Sequence, residues 1–156
     1  MDFSYIDALS KLITIILKTV NDSNKSTLLQ IIFDALLVVL TKNHEFHKEK
    51  FNQRPFFKLL YNLIYDINRK DYDFEEKDIN DLFSVFLDLF GRLSPLKFPG
   101  FSFSWLELIS NNIFMPVILK LVLKIGFSSL KFLLFRTNKA LNTMNCYLIS
   151  SDSLKK

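Results

Sequence analysis

The sequence predicts an all-α fold of about five to six antiparallel helices, and three observations point to it. The chain of 156 residues contains 17 Phe against 3 Gly and 4 Pro, so it has much apolar bulk to bury and few turn-forming residues. Hydrophobic residues make up 49% and charged residues 23%, which is typical of a folded chain. Apolar residues recur at helical spacing along most of the sequence. Successive helices with short links form an α-solenoid or a helix bundle.

Charge and cysteine content limit the class of protein. Cys146 is the single cysteine and has no partner for an internal disulfide, and no signal-peptide pattern opens the chain, so we expect a reduced, intracellular setting. Residues 1–116 carry 13 Lys or Arg against 15 Asp or Glu, whereas residues 117–156 carry 7 against 1. The basic balance therefore belongs to the C-terminal quarter, and the sequence does not indicate a nucleic-acid footprint over the whole domain.

The first two helices are predicted from different patterns. The apolar face of the first comprises Ile6, Leu9, Ile13, Ile16, Leu17 and Val20. Its opposite face comprises Asp7, Lys11, Thr14 and Lys18. After the polar break at 21–26, only Gln30 and Asp34 interrupt the apolar run Leu28–Leu40. The run predicts a helix in the middle of a helical stack, and it is shorter than the roughly 20 residues that cross a bilayer.

Further along, the pattern predicts four more helices. The third helix covers Phe51–Asn68, and the fourth follows the acidic loop 71–78 and ends near 91–95. The fifth starts after Pro99 and Gly100 and runs through Trp105 to about Phe114. The sixth runs from Pro116 to about Phe135. Pro55 suits the first turn of the third helix because no hydrogen bond needs its missing N–H there. The polar face of that helix is predicted to carry Lys58, Asn62 and Asp66.

Two stretches carry a resemblance to a known family. They are "FNQRPFFKLLYNLIYDIN" at 51–68 and "FPGFSFSWLELISNNIFMP" at 98–116, joined by "FSVFLDLFGRLSPLK". In this order they resemble the C-terminal Not-homology domain of the large Not scaffold subunit of the Ccr-Not mRNA deadenylase complex. The resemblance is clearest over 51–116. It implies a HEAT-like helical-repeat fold, an α-solenoid.

The sequence also departs from that family. Asn111 and Asn112 stand where the family pattern has a His and an Arg, which puts a polar role of these positions in doubt. The family domain is longer, so the resemblance implies a fragment. We therefore expect a Not-homology helical domain at 1–116 and a basic, poorly matching segment at 117–156, the pattern of a truncated or mis-spliced end.

The resemblance implies a non-catalytic scaffold that docks other Not subunits in poly(A)-tail shortening and translational repression, and meets RNA-bound repressors indirectly. It implies cytoplasmic localisation, including P-bodies, and also nuclear localisation, with no cofactor, metal or small-molecule substrate. The residues expected to form or shape the docking surface are Phe51, Asn52, Arg54, Phe56, Phe57, Trp105 and Glu107. Trp105 also fits the core, and an Arg54–Glu107 ion pair would fix how two helices meet.

An alternative function rests on a basic stripe. Lys120, Lys124 and Lys131 project within roughly a 40° arc if residues 117–135 are helical. Such a stripe fits a peripheral membrane or RNA-binding helical module, although three charges argue against a membrane span there. The His44 and His47 pair lacks a third metal ligand, and the acidic loop 71–78 lacks the Gly of a calcium loop.

Overall fold

Helices account for nearly all of the chain that the computed structural model describes, which is residues 3–47, 52–93, 98 and 101–125. The six α-helices in these ranges are α1 Ser4–Thr19, α2 Asp22–His47, α3 Arg54–Asn68, α4 Glu76–Arg92, α5 Ser102–Ile109 and α6 Phe114–Ile125. A 3-10 turn, Lys70–Tyr72, joins α3 to α4. No strand occurs in these ranges. The all-α prediction is confirmed.

The helices pack against the helix two positions along the chain. The most extensive contacts join α1 to α3 and α2 to α4, and α4 also packs on α6 and α3 on α5. Odd-numbered helices therefore form one layer and even-numbered helices the other. Stacking of successive helix pairs in two layers is the arrangement of an α-solenoid, whereas in a simple bundle the sequential neighbours share the largest contacts.

Aromatic rings form the seam of the even-numbered layer. The ring of Phe33 on α2 meets that of Phe86 on α4 at 4.8 Å between centroids. Phe90 on α4 meets Phe114 on α6 at 4.7 Å. Edge contacts of this kind add to the free energy of burial. The indole of Trp105 is fully buried and donates a hydrogen bond to the Phe90 carbonyl at 3.0 Å, which ties α5 to this seam.

The buried face of α1 differs from its predicted face. Leu9 and Ile16 are each 39% exposed, whereas Ser10 and Thr14 are buried. The Thr14 hydroxyl donates to the Ser10 carbonyl at 2.9 Å, so the helix itself satisfies it. Because its hydrogen bond is already made within α1, the Thr14 hydroxyl can be buried in the interface with α3. The prediction that placed Thr14 on the polar face was therefore wrong.

The second helix is longer than its apolar run. It starts at Asp22, inside the predicted polar break, and ends at His47. Its first turn is stabilised by Lys25, whose ammonium lies 2.6 Å from Asp22 and pairs with Asp78 on α4. Among the described helices, one segment, Asp22–Asn43, is long and apolar enough to cross a membrane by length and composition alone. The prediction of a helix too short to span was wrong.

Helices α1 and α2 pack on α3 and α4 on one side, and apolar side chains are exposed on their opposite side. Leu12 and Ile15 of α1 are 54% and 51% exposed, and Ile31 and Val38 of α2 are exposed too. By helical rotation these residues lie opposite the faces that pack on α3 and α4. The prediction that α2 lies in the middle of a stack therefore does not hold within the described residues, because no described helix covers this side.

The break between the last two helices lies a few residues earlier than the sequence pattern predicted. Asn111 is buried, and its side-chain oxygen accepts hydrogen bonds from the backbone N–H groups of Ile113 and Phe114 at 2.8 and 3.0 Å. These groups lack partners inside the helix at its first turn, so Asn111 defines the start of α6. The polar role of Asn111 is thus structural, and α5 ends at Ile109 rather than near Phe114.

The aromatic seam makes a direct prediction about stability. We expect Phe86→Ala to lower the free energy of unfolding by about 3–5 kcal/mol, because it opens a cavity among the rings of Phe33, Phe83 and Phe114. The matched control is Phe103→Ala, since Phe103 is 67% exposed and its loss should cost less than about 1 kcal/mol. Urea unfolding followed by circular dichroism measures both. Similar losses for the two variants would contradict the seam.

The buried ion pair between α2 and α4 makes a second prediction. The side chains of Lys25 and Asp78 are 7% and 8% exposed, so Lys25→Met should leave an unpaired buried carboxylate and cost about 3–5 kcal/mol. The double variant Lys25→Met/Asp78→Leu should recover most of that loss. Lys120 and Glu76 form a matched exposed pair, and Lys120→Met should change little. Urea unfolding measures all of these variants. If the double variant is no more stable than Lys25→Met alone, the unpaired Asp78 carboxylate is not the cause of the loss.

Candidate partner-docking surface

The residues expected to form a docking surface divide between core and surface. Phe57 and Trp105 are buried, Phe56 is partly buried, Asn52, Arg54 and Glu107 are exposed, and Phe51 lies outside the described residues. The Asn52 side chain accepts a hydrogen bond from the Arg54 N–H at 3.2 Å, which helps to start α3. Among the ion pairs of the described residues, none joins Arg54 to Glu107, so the structure does not support that proposed link.

The two phenylalanines of the first motif help to line an apolar pocket at the junction of α2, α3 and α4. The lining residues are Leu36, Leu37, Leu40, Phe56, Phe57, Leu60, Leu89 and Leu93. All of these side chains are aliphatic or aromatic, so the pocket offers no acid, base or nucleophile. The first motif therefore shapes the joint between the two helical layers more than it forms an exposed surface.

The exposed side of α3 is rich in aromatic and basic side chains. We call it the tyrosine ridge, and it consists of Arg54, Lys58, Tyr61, Tyr65 and Arg69. Tyr61 and Tyr65 are 45% and 47% exposed. The sequence prediction missed both tyrosines. Their spacing of four residues, out of phase with Leu60, Leu63, Ile64 and Ile67, is the signal that would have revealed them.

Fixed contacts hold two of the cations of the tyrosine ridge, Lys58 and Arg69, in place. The Lys58 ammonium lies 2.9 Å from Asp7 on α1, and the Asn62 amide donates to the same carboxylate at 2.7 Å. These hydrogen bonds, from Lys58 first and then Asn62, lower the pKa of Asp7. At the other end the Arg69 guanidinium pairs with Asp71 and lies 5.7 Å from the ring centroid of Tyr65. The ridge thus has a defined shape before anything binds.

One carboxylate lies between α1 and α3. Asp66 was predicted on the polar face of α3, and that prediction was wrong, because the residue is buried against α1. Burial raises the pKa of Asp66, and the Ser10 hydroxyl together with the charges of Arg69 and Lys11 partly offsets this effect. The charged form of Asp66 therefore opposes the packing of α1 on α3.

The basic stripe and the His pair lie largely outside the described residues. Lys120 pairs with Glu76 on α4. The side chain of Lys124 and all of Lys131 lie outside what the structure describes, as do the side chains of His44 and His47. Within the described ranges no group of three or more His, Cys, Asp or Glu side chains is placed to hold a metal ion.

A comparison with protein families decides the family. The model of the family described as CCR4-Not complex component, Not1, matches residues 64–153, which is more than half of the chain. The chain belongs to the Not1 family. The match includes Trp105 and Glu107 and most of the segment 117–156. The domain boundary at residue 116 stays a prediction.

Curated and solved Not1 proteins agree with this assignment. The chain is 31% identical to general negative regulator of transcription subunit 1 of Saccharomyces cerevisiae, over 97% of this chain but only 8% of that protein. A solved Not1 C-terminal domain in complex with Not4 superposes with a TM-score of 0.73 at 28% identity, over 91% of this chain and 32% of that one. The NOT1 superfamily homology domain of Chaetomium thermophilum gives a TM-score of 0.75 at 28% identity, over 86% and 26%.

Those neighbours bear on both the fold and its extent. They are Not1 helical domains, so the predicted solenoid-like fold is confirmed. The Not1-family chain spans less than a tenth of the length of the Saccharomyces cerevisiae relative and about a third or less of either solved chain. Activities and partners of the whole relatives are therefore matters for proposal.

Burial of Asp66 predicts the pH dependence of the α1–α3 contact. Its folded pKa is raised above the ordinary value of 3.8, so the folded chain binds this proton more tightly than the unfolded chain does. Stability should then fall as pH rises from that ordinary value through the raised one. Asp66→Asn removes the carboxyl that titrates, so this pH-dependent loss of stability should be absent from the variant. We therefore expect the stability of the variant relative to the parent to increase as pH rises from 3.8 through the raised pKa of Asp66. Urea unfolding at a series of pH values measures it, and a relative stability independent of pH would contradict the assignment.

Proposed function

We propose that this Not1-family chain is a non-catalytic scaffold that docks other Not subunits of the CCR4-Not complex. Through that complex it would contribute to mRNA deadenylation and to translational repression, meeting RNA-bound repressors indirectly. The observation that carries the proposal is the solved Not1 C-terminal domain in complex with Not4, whose backbone matches 91% of this chain. Not4, or another Not subunit, is accordingly the partner we assign.

The arrangement of the helices supports a docking role. A two-layer stack leaves one ridge of each helix exposed along the outside, and such ridges together form the extended binding surfaces of α-solenoids. The described pocket is lined by apolar side chains alone, which suits packing between helices rather than chemistry. We therefore assign no small-molecule substrate and no cofactor.

The site of action follows from the proposed role. A protein that serves mRNA decay acts where mRNA is translated and stored, so we propose the cytoplasm, including P-bodies. The relatives' names, which refer to transcription, support an additional nuclear pool. A membrane or RNA-binding role through Lys120 is less well supported, because that side chain pairs with Glu76.

Co-purification tests the proposal. The full chain of 156 residues is co-expressed with the Not4 segment used in the solved complex, and size-exclusion chromatography follows. We expect both to elute together in a fixed ratio, whereas the same Not4 segment expressed with an unrelated helical protein should not co-elute. A soluble, helical chain that elutes alone would contradict the proposed function. Binding instead to anionic vesicles or to poly(A) in low salt would favour the membrane or RNA alternative.

A further inference from the structure

The tyrosine ridge is continuous along the outer side of α3. Arg54, Lys58, Tyr61 and Tyr65 are separated by four, three and four residues, which places them within about 60° on the helix. From Arg54 to Tyr65 the ridge is about 16 Å long at 1.5 Å per residue, and Arg69 extends it past the end of the helix. An extended segment of about five to seven residues at roughly 3.3 Å each would cover this length.

The side chains of the ridge are of the types that dominate protein interfaces. Tyr and Arg are enriched at binding hot spots because they combine a large apolar surface with a polar group. Both tyrosines keep nearly half of their surface exposed, so a partner can reach their rings. The guanidinium of Arg69 lies over Tyr65, which fixes that pair. Side chains that are ordered before binding lose less conformational entropy when a partner docks.

The charge of this surface is local. Lys11 of α1 lies beside the ridge, since its charge acts on both Asp7 and Asp66. Across the whole described chain, by contrast, 12 Lys or Arg face 13 Asp or Glu. Asp7 and Asp71 balance Lys58 and Arg69, so the positive excess near the ridge comes from Arg54 and Lys11, and it favours an acidic partner segment.

The contacts also favour a polypeptide over RNA. Lys58 and Arg69 each already pair with a carboxylate, so they are poorly placed to neutralise successive phosphates. Among the described residues, no acidic side chain forms an ion pair with Arg54. A single available guanidinium next to two tyrosines suits one carboxylate followed by apolar side chains.

We propose that the tyrosine ridge docks an acidic, extended segment of a partner Not subunit. A carboxylate of the segment binds the Arg54 guanidinium, and aliphatic or proline side chains lie on the rings of Tyr61 and Tyr65. This inference rests on the proposed function and adds to it the surface and the chemistry of the partner segment.

Affinity measurements on surface variants test the proposal. The probe is the Not4 segment used in the solved complex, titrated into the full chain by calorimetry. We expect Tyr61→Ala/Tyr65→Ala to weaken binding at least tenfold, in line with the loss of two hot-spot side chains. Arg54→Glu should weaken binding by a similar factor and reduce its dependence on salt. Circular dichroism of each variant confirms that the fold is retained.

The chain provides a matched control. Tyr5 on α1 is 59% exposed, and two residues of helical rotation place it on the side of α1 away from Asp7 and the ridge. Tyr5→Ala should leave the affinity unchanged. If the parent chain binds Not4 and the Tyr61→Ala/Tyr65→Ala variant binds it with the same affinity, the ridge is not the docking surface. That result would overturn this proposal and leave the proposed function intact.

Two other outcomes also decide the matter. A parent chain that binds no Not4 segment would contradict the proposed function and the ridge together. Binding of a poly(A) oligonucleotide that the two tyrosine substitutions abolish, while Tyr5→Ala does not, would identify RNA as the ligand of this surface and overturn the proposal of a polypeptide partner.

Discussion

Packing of each helix against the helix two positions along the chain is the constraint on which this structure depends. In the even-numbered layer it is enforced by aromatic contacts, from Phe33 through Phe86 to Phe114, that link three helices into one seam. Aromatic rings bury much surface with few rotatable bonds, so the seam fixes both distance and orientation. The alignment of α2, α4 and α6 also fixes the odd-numbered helices in the second layer. The side of α3 that carries Tyr61 and Tyr65 is left exposed.

Polar contacts complement this apolar seam. Burial opposes the charge on Lys25, but hydrogen bonds to Asp22 and Asp78 outweigh it and raise the pKa of the ammonium. A buried pair of this kind adds little net stability compared with apolar residues of the same size. Its contribution here is to register, since a slip of α2 along α4 would separate Lys25 from Asp78 and leave the buried Asp78 carboxylate without its partner. Asp7, shared by Lys58 and Asn62, links α1 to α3 in a similar way nearer the surface.

The sequence predicted those parts of the fold that local apolar spacing determines, and it missed parts that depend on contacts between helices. Helix type, α3 and α4 followed from apolar spacing, because each has one strongly apolar side. The buried side of α1 did not, because Ser10 and Thr14 satisfy their hydroxyls within the helix and can be buried. The first turn of α2 is tied to α4 through Lys25 and Asp78, which are 53 residues apart, and no local pattern contains that pair. At the candidate surface, sequence motifs pointed to Arg54, but Tyr61 and Tyr65 were missed, although their spacing on α3 already placed them off its apolar face.

Side-chain footprinting of the complex tests the central claim most directly, namely that stacking leaves the outer side of α3 for a partner. Hydroxyl radicals oxidise exposed tyrosines, so the full chain can be probed alone and with the Not4 segment bound, and its peptides read by mass spectrometry. We expect the oxidation of Tyr61 and Tyr65 to fall sharply in the complex while that of Tyr5 stays constant. Protection of Tyr5 with Tyr61 and Tyr65 still reactive would contradict the account and move the docking surface to the first helix.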